Sequence, residues 1–354
     1  MSVKTTRNKL VLAVGMLTLA TSCTTAPDSS IQTQQTAKTT QVTDSETIKA
    51  IKIDGSSTVH PITQAIAKEF PVTTKNNTPV QVSISGTGGG FEKFCTGKID
   101  INNASRPISK AEMAVCNKND VRYIELPIAF DALTIAVNPQ NDWAKDITVA
   151  ELKKMWEPAA EGKITRWNQV RSSWPDRPLN LYGAGKQSGT FDYFTEALVG
   201  KAKSSRNDYI GSEDDDVLVE GINKDPNALG YFGYAYYEKN KDKLKVVAVN
   251  NGKGAVLPSP ETVEKSQYQP LSRPLFIYVN LWSSQNRGDV YKFVDFYLQK
   301  ASTVANSVGY VPLPEEAYKI NYVQLHNGKA GTVFAGKAEL DLTIGQLLRK
   351  QKEF

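Results

Sequence analysis

Four times along this chain an alternating apolar run gives way to Gly, Ser and Thr, and then to apolar residues at helical spacing. In "IKIDGSSTVHPITQAIAKEF" (51–70) a strand pattern precedes Gly55-Ser56-Ser57-Thr58, and Val59, Ile62, Ile66 and Phe70 follow on one helical face. In "QVSISGTGGGFEKF" (81–94), Val80, Val82 and Ile84 alternate ahead of a loop from Ser85 to Gly90, and Phe91, Phe94 and Cys95 lie beyond it. "KIDINNASRPISKAEM" (98–113) places Ser105-Arg106 after the alternating Ile99 and Ile101, with Pro107 suited to a first helical position. "LNLYGAGKQSGTFDYFTEAL" (179–198) runs from Leu179 and Leu181 through Gly183–Thr190 to Phe191, Phe194 and Leu198. Strands that alternate with helices imply an α/β fold with a mostly parallel sheet. In such sheets ligands gather at the carboxyl ends of strands, against helix N-termini.

The glycines of 81–94 do not make a nucleotide loop. No Lys followed by Ser or Thr completes a P-loop, and the sixth position counted from Gly86 is Phe91 rather than Gly. The physical content of the loops survives that exclusion. Backbone amides at a helix N-terminus, with its partial positive charge, favour an anion. Four such loops make a convergent oxyanion cradle, with Ser57, Thr58, Ser85, Arg106, Ser188, Gly189 and Thr190 as candidate ligands. An ordinary tight strand-to-helix turn is the alternative for any one loop alone.

"AFDALTIAVNP" (129–139) and "SRPLFIYVN" (272–280) are alike, each an apolar strand ending in Val-Asn, and they enclose about 140 residues. A pair of this kind suits the two crossings between lobes of a hinged protein that closes round a ligand. The other reading is two unrelated core strands.

At 354 residues the chain is long enough for two domains. Lys4, Arg7 and Lys9 precede an apolar run from Leu10 to Ala20, too short to span a bilayer but suited to a secretory signal. It ends in "LATSC", similar to a bacterial lipoprotein box, so residues 1–22 are expected to be removed and Cys23 to carry lipid. Removal of 1–22 lowers the formal charge from +5 to +2, too mild to favour nucleic acid or an anionic membrane surface. Residues 23–47 are rich in Thr, Gln and Ser, which fits a flexible tether. Two cysteines remain, Cys95 and Cys116. In an exported chain an even pair invites a disulfide; two buried thiols are the alternative. With those thiols and only His60 and His326, no metal site or cofactor is expected.

The motifs "DGSSTVHPI", "SISGTGGGFEKFC", "DINNASRPI", "LPIAFDALTIAVNP", "GKQSGTFDYFTEAL", "NALGYFGYAYY" and "GDVYKFVDFYL", in that order, resemble the PstS-type phosphate-binding proteins of bacterial ABC importers. The resemblance implies a two-lobe periplasmic binding protein fold (type II), with the ligand in a cleft between lobes joined by two crossing strands. The implied division is 48–137 and 277–325 in one lobe, 138–276 in the other, and 326–354 as a C-terminal extension. It also implies a monomeric binder of inorganic phosphate, not an enzyme, outside the cytoplasmic membrane and held there by its lipid. Its further partner is an ABC permease. The chain departs from the best-known branch in two places: Arg106 stands where that branch has Asp, and Ala184 where it has Arg. Arg106 is then expected to supply the cation, with Lys186 nearby. A carboxylate that accepts the phosphate proton would exclude sulfate, which has none. Asp131 is the first candidate because "AFDAL" enters a crossing strand, and Asp192 is the second. Alternatives are a carrier of another tetrahedral oxyanion, such as sulfate or molybdate, or a secreted phosphatase. The phosphatase would need a metal cluster or an activated nucleophile, and no nucleophile–base–orienter set is recognisable.

Other segments read as structure. "SEDDDVLVEGI" (212–222) lacks the calcium-loop pattern and reads as a helix start capped by Ser212. The aromatics of 231–240 read as core packing, and 291–300 as an amphipathic helix.

Overall fold

The computed structural model describes residues 49–354, apart from residue 76. The expected signal segment, the tether and Cys23 lie outside the described residues. Eight strands form the backbone of the main sheet: β1 (Ile51–Gly55), β2 (Val80–Val82), β3 (Ile101–Ala104), β4 (Tyr123–Val137), β5 (Asn180–Ala184), β6 (Ile210–Ser212), β7 (Ala228–Gly233) and β8 (Ser272–Asn280). Their order across the sheet is β2-β1-β3-β8-β4-β7-β5-β6, and the short strands Val311–Pro312 and Lys245–Val246 also pair with β4. Among the described residues, no helix is long and apolar enough to cross a membrane.

The outer pairs β1–β2, β1–β3, β5–β6 and β5–β7 are parallel, as strand–loop–helix units require. The centre departs from the expected parallel sheet, because β8 runs antiparallel to both β3 and β4, and β4 antiparallel to β7. The reason is β4 itself. Its 15 residues are buried throughout. Tyr123–Ala132 pairs with β8, whereas Leu133–Val137 pairs with β7, so one continuous strand serves both halves of the sheet. Leu133 N–H donates to the Leu271 carbonyl at 2.7 Å, just ahead of β8, which ties the second chain passage to the point where β4 changes partner.

Helices α1 (His60–Thr74), α2 (Gly86–Phe94), α3 (Lys110–Lys118), α4 (Gly189–Val199) and α5 (Asp215–Lys224) follow β1, β2, β3, β5 and β6. α1 buries Ile62, Ile66 and Phe70, the face its spacing predicts. Two helix starts differ from the sequence reading. The glycines 86–90 belong to α2 rather than to a loop. They allow close approach, since a Cβ on Gly90 would collide with the Asn102 amide and come within 2.7 Å of Gly55 Cα. α3 begins at Lys110, so Pro107 precedes the helix. Ser109 is the cap, and its hydroxyl and the Glu112 side chain form a capping box. α6 (Gly288–Ser307) lies on α1 and buries Phe293, Val294 and Tyr297. α7 (Glu315–Asn327) and α8 (Ile344–Glu353) close the chain, linked by Gln351 Nε2 to Asn321 Oδ1 at 2.7 Å. Cys95 and Cys116 are joined in a disulfide between the end of α2 and α3.

Candidate anion-binding site

The N-termini of α1, α2 and α4 meet where the two halves of the sheet face each other. Gly88 N–H of α2 donates to the Gln187 carbonyl, just before α4, at 2.8 Å. Gly86, at φ +75°, allows this approach, because a Cβ there would collide with that carbonyl. Gly189, the first residue of α4, lies so close that a Cβ would run into Thr87 Oγ1 and come within 2.7 Å of Ser105 Oγ. On the other side, Thr58 Oγ1 before α1 lies 3.0 Å from Thr190 Oγ1 in α4. Part of the first-turn amides is committed locally, Gly88 N–H to the Gln187 carbonyl and Thr190 N–H to Ser188 Oγ, but the three positive dipole ends share one corner.

Hydroxyl chemistry adds to the amides. Thr58 and Thr190 share one hydrogen bond, which leaves one of their two O–H protons for another acceptor. Thr87 and Ser105 repeat the arrangement at 3.3 Å, and Ser105 N–H donates to Thr87 Oγ1 at 3.1 Å. Ser188 is committed as the α4 cap and accepts from Thr190 N–H at 3.1 Å. Ser57 Oγ donates to Asp215 Oδ1 at 3.2 Å, and its carbonyl accepts from the Tyr236 hydroxyl.

Two buried arginines flank the corner. Arg273 of β8 is wholly inaccessible. Its Nη2 donates to Asp131 Oδ2 at 2.9 Å, Thr190 Oγ1 at 2.9 Å and Thr58 Oγ1 at 3.3 Å, while Nη1 has no hydrogen-bond partner among the described residues. Arg106 is 7% exposed and more heavily committed. It forms a two-pronged pair with Glu112 at 2.8 Å, reaches Asp192 Oδ2 through Nε at 2.7 Å and donates to the Pro107 carbonyl. Of its five N–H bonds, one on Nη2 stays uncommitted. Burial alone would lower its pKa, but Glu112 and Asp192 outweigh burial and keep the guanidinium charged.

Three carboxylates sit in the same region, each raised above the usual range chiefly by burial. Asp131 is opposed in this by Arg273, and both of its oxygens are engaged, Oδ1 by Tyr234 N–H at 3.0 Å. Asp192 is opposed by Arg106, and its Oδ1 is buried without a partner among the described residues. Asp215 is pushed up to about 7, against the Gly233 amide and Ser57, and its Oδ2 is likewise unpartnered among the described residues.

Of the residues expected to bind from the sequence, Ser57, Thr58, Arg106, Asp131, Ser188, Gly189 and Thr190 are brought to this region. Ser85 turns away, donating to Asp54 Oδ1 at 2.8 Å beside the Lys93–Asp54 pair. Lys186 also points elsewhere, to Asn207 Oδ1 at 2.9 Å. The sequence reading missed Thr87, Ser105, Arg273 and Asp215. Ser85-Gly86-Thr87 repeats Ser188-Gly189-Thr190 in letters and in position at a helix start, which pointed to Thr87. Arg273 is the one charge in an apolar strand. Asp215 was hidden in an acidic run whose cap is Asp214 rather than Ser212. The Asp214 side chain accepts from Asp216 N–H, and Ser212 Oγ accepts from Asp214 N–H.

Residues 31–301 match the model of the PBP superfamily domain. The chain belongs to the PBP superfamily. Within this superfamily it is 59% identical over 312 residues to the protein SphX of Synechocystis sp., covering 88% of this chain and 93% of SphX. It is 38% identical over 275 residues to the phosphate-binding protein PstS of Staphylococcus haemolyticus, covering 76% of this chain and 82% of that one. Among solved structures it matches the crystal structure of a "possible phosphate binding protein" from Planctomyces limnophilus. That match has 44% identity and a TM-score of 0.58, over 79% of this chain and 99% of the other. The fold is thus the two-lobed α/β architecture of PBP proteins.

Proposed function

We propose that this protein captures inorganic phosphate between its lobes and delivers it to an ABC importer. The observation that carries the reading is the meeting of three helix N-termini with hydroxyls from both halves of the sheet, beside two arginines that keep uncommitted N–H donors. Only a small, highly charged acceptor uses so many donors at once. Charged hydrogen bonds contribute about 1.5–3 kcal/mol each, so a handful supports the roughly 8 kcal/mol of micromolar affinity after ordering costs. The expected lobe boundaries at 137/138 and 276/277 belong to this reading. The strand partners change a few residues earlier, at Ala132/Leu133 and just before Ser272, and closure is proposed about those two passages.

We take Asp192 rather than Asp131, the first candidate from the sequence, as the acceptor of the phosphate proton, because its Oδ1 has no partner among the described residues. Asp192 lies in the first turn of α4 beside Thr190, whereas both Asp131 oxygens already accept hydrogen bonds. Sulfate would set an unprotonated oxygen against Asp192 Oδ1, an unfavourable contact in a buried site. Calorimetry with phosphate, arsenate, sulfate and molybdate tests the reading. Phosphate and arsenate are expected to bind and sulfate to fail; no heat from phosphate at millimolar concentration overturns it.

The same reading places the protein outside the cytoplasmic membrane, tethered by a lipid on Cys23. Labelled palmitate should be incorporated by the wild type and not by Cys23→Ser. Free release of the wild type by osmotic shock contradicts the anchor.

A further inference from the structure

Glu125 of β4 and Tyr278 of β8 are direct cross-strand partners, and the Tyr278 hydroxyl donates to Glu125 Oε2 at 2.5 Å. Tyr278 is fully buried and Glu125 is 5% exposed. Because the hydroxyl proton is directed to Glu125, its oxygen is free to accept, and it takes Ile108 N–H at 2.8 Å. Ile108 lies two residues after Arg106, and Pro107 between them has no N–H. Its amide is therefore the donor that anchors this stretch before the Ser109 cap. The Tyr278 ring packs edge-on against Phe91 of α2 at 4.8 Å, and the Arg106 guanidinium lies 5.8 Å from the Phe91 centroid. The hydroxyl thus holds the loop at Ile108, and the ring backs it at Arg106 through Phe91.

Glu125 is held in turn by the segment between α7 and α8. Thr332 Oγ1 donates to its Oε2 at 2.6 Å and Val333 N–H to its Oε1 at 3.0 Å, while Gly331 N–H donates to the Tyr123 carbonyl at 2.9 Å. Farther along, Phe334 packs edge-on against Phe276 at 5.4 Å, and Gly336 approaches the backbone of Lys110 so closely that a Cβ would lie 2.8 Å from its nitrogen. We propose that Glu125 and Tyr278 are positioning residues for the Arg106 anion loop, and that residues 331–333 are the clasp that holds them in place. The relay runs from Thr332 and Val333 through Glu125 and the Tyr278 hydroxyl to Ile108. It sets where Ser105 and Arg106 stand without any clasp residue touching the anion. This rests on the phosphate site proposed above.

The test compares full-length wild type with Thr332→Val, Thr332→Ser and Tyr278→Phe, each followed by phosphate calorimetry and by hydrogen exchange of the 105–109 backbone. Exchange reports local opening of that loop directly. Tyr278→Phe and Thr332→Val should each raise the phosphate Kd at least fivefold and speed exchange at 105–109, and Thr332→Ser should restore both. Thr332 is partly exposed, so its variant should fold even if Tyr278→Phe does not. If Thr332→Val loosens 331–336 alone, with 105–109 exchange and phosphate Kd within twofold of wild type, the clasp is refuted. Should the wild type bind no phosphate, the site reading fails separately, and exchange at 105–109 still decides the relay.

Discussion

Asp131 and Arg273 stand directly opposite each other in the β4–β8 ladder, with Oδ2 2.9 Å from Nη2 and neither side chain accessible to solvent. The pair lies beside the point where β4 passes from β8 to β7, and its guanidinium also orients the Thr58 and Thr190 hydroxyls. One ion pair thus ties the strand crossing to the anion corner. Removing one member of a buried pair strands the other charge, at about 3–5 kcal/mol. Arg273→Ala should lose that much stability in urea unfolding and also lose phosphate binding. Asp131→Asn, which keeps an acceptor for Tyr234 N–H, should lose less. Wild-type unfolding of Arg273→Ala would falsify the structural role of the pair.

Thr87 and Ser85 separate the site proposed from the structure from the one read in the sequence. Thr87→Val removes the hydroxyl that meets Ser105 and Gly189, and it should weaken phosphate binding about tenfold, or 1.4 kcal/mol. Ser85→Ala breaks only the bond to Asp54 and should leave affinity within about threefold. Equal losses in calorimetry would mean that Ser85 reaches the anion after all.

Much of this fold was legible because local patterns carried it. The strand–loop–helix units, the amphipathic face of α1 and the Cys95–Cys116 crosslink depend on neighbours in sequence or on simple pairing chemistry. The Gly86–Gly90 run was misread as loop because glycine is a poor helix former. In α2, tertiary contacts override that preference, since Asn102, Gly55 and Gln187 leave no space for side chains. The antiparallel centre was not legible, because the alternation of β4 and β8 does not state their direction. Arg273 was passed over for a related reason: its partner Asp131 lies 142 residues away. Asp131 was ranked ahead of Asp192 on its place in a crossing strand, because the sequence does not state which oxygens are already engaged.

The buried carboxylates give a pH dependence with a definite sign. Asp215 has its pKa raised in the folded protein to about 7 from an ordinary value near 3.8. Folding therefore favours its protonated form. The stability it contributes is complete below about pH 4 and is lost as pH rises towards 7 and beyond. Glu125, also raised to about 7 by burial, adds in the same direction. Asp215→Asn should flatten this part of the melting-temperature profile and be relatively more stable than wild type at pH 8. Profiles that stay parallel from pH 4 to 8 would exclude Asp215 as a titrating group.

The crosslink closes a short loop between α2 and α3, with a sequence separation of 21. On the chain-entropy model a loop of this size contributes about 3 kcal/mol. Reduction should lower the urea midpoint accordingly, and both thiols should resist alkylation in denatured protein until reduced. Immediate alkylation without reductant would show that the pair is not joined in solution.

Gly189 offers a test in which stability and affinity should part. It is the first residue of α4, capped by Ser188, and alanine is the better helix former by up to about 1 kcal/mol. In this structure a Cβ there would overlap Thr87 Oγ1 and crowd Ser105 Oγ, whereas the lobe opening proposed above would relieve that overlap. Gly189→Ala should therefore keep or slightly raise the unfolding midpoint of the ligand-free protein while weakening phosphate at least tenfold. It should also remove most of the thermal stabilisation that phosphate confers, because ligand stabilisation scales with occupancy of the bound state. Undiminished affinity in Gly189→Ala would mean that phosphate is held without the close contact of α4 with Thr87 and Ser105.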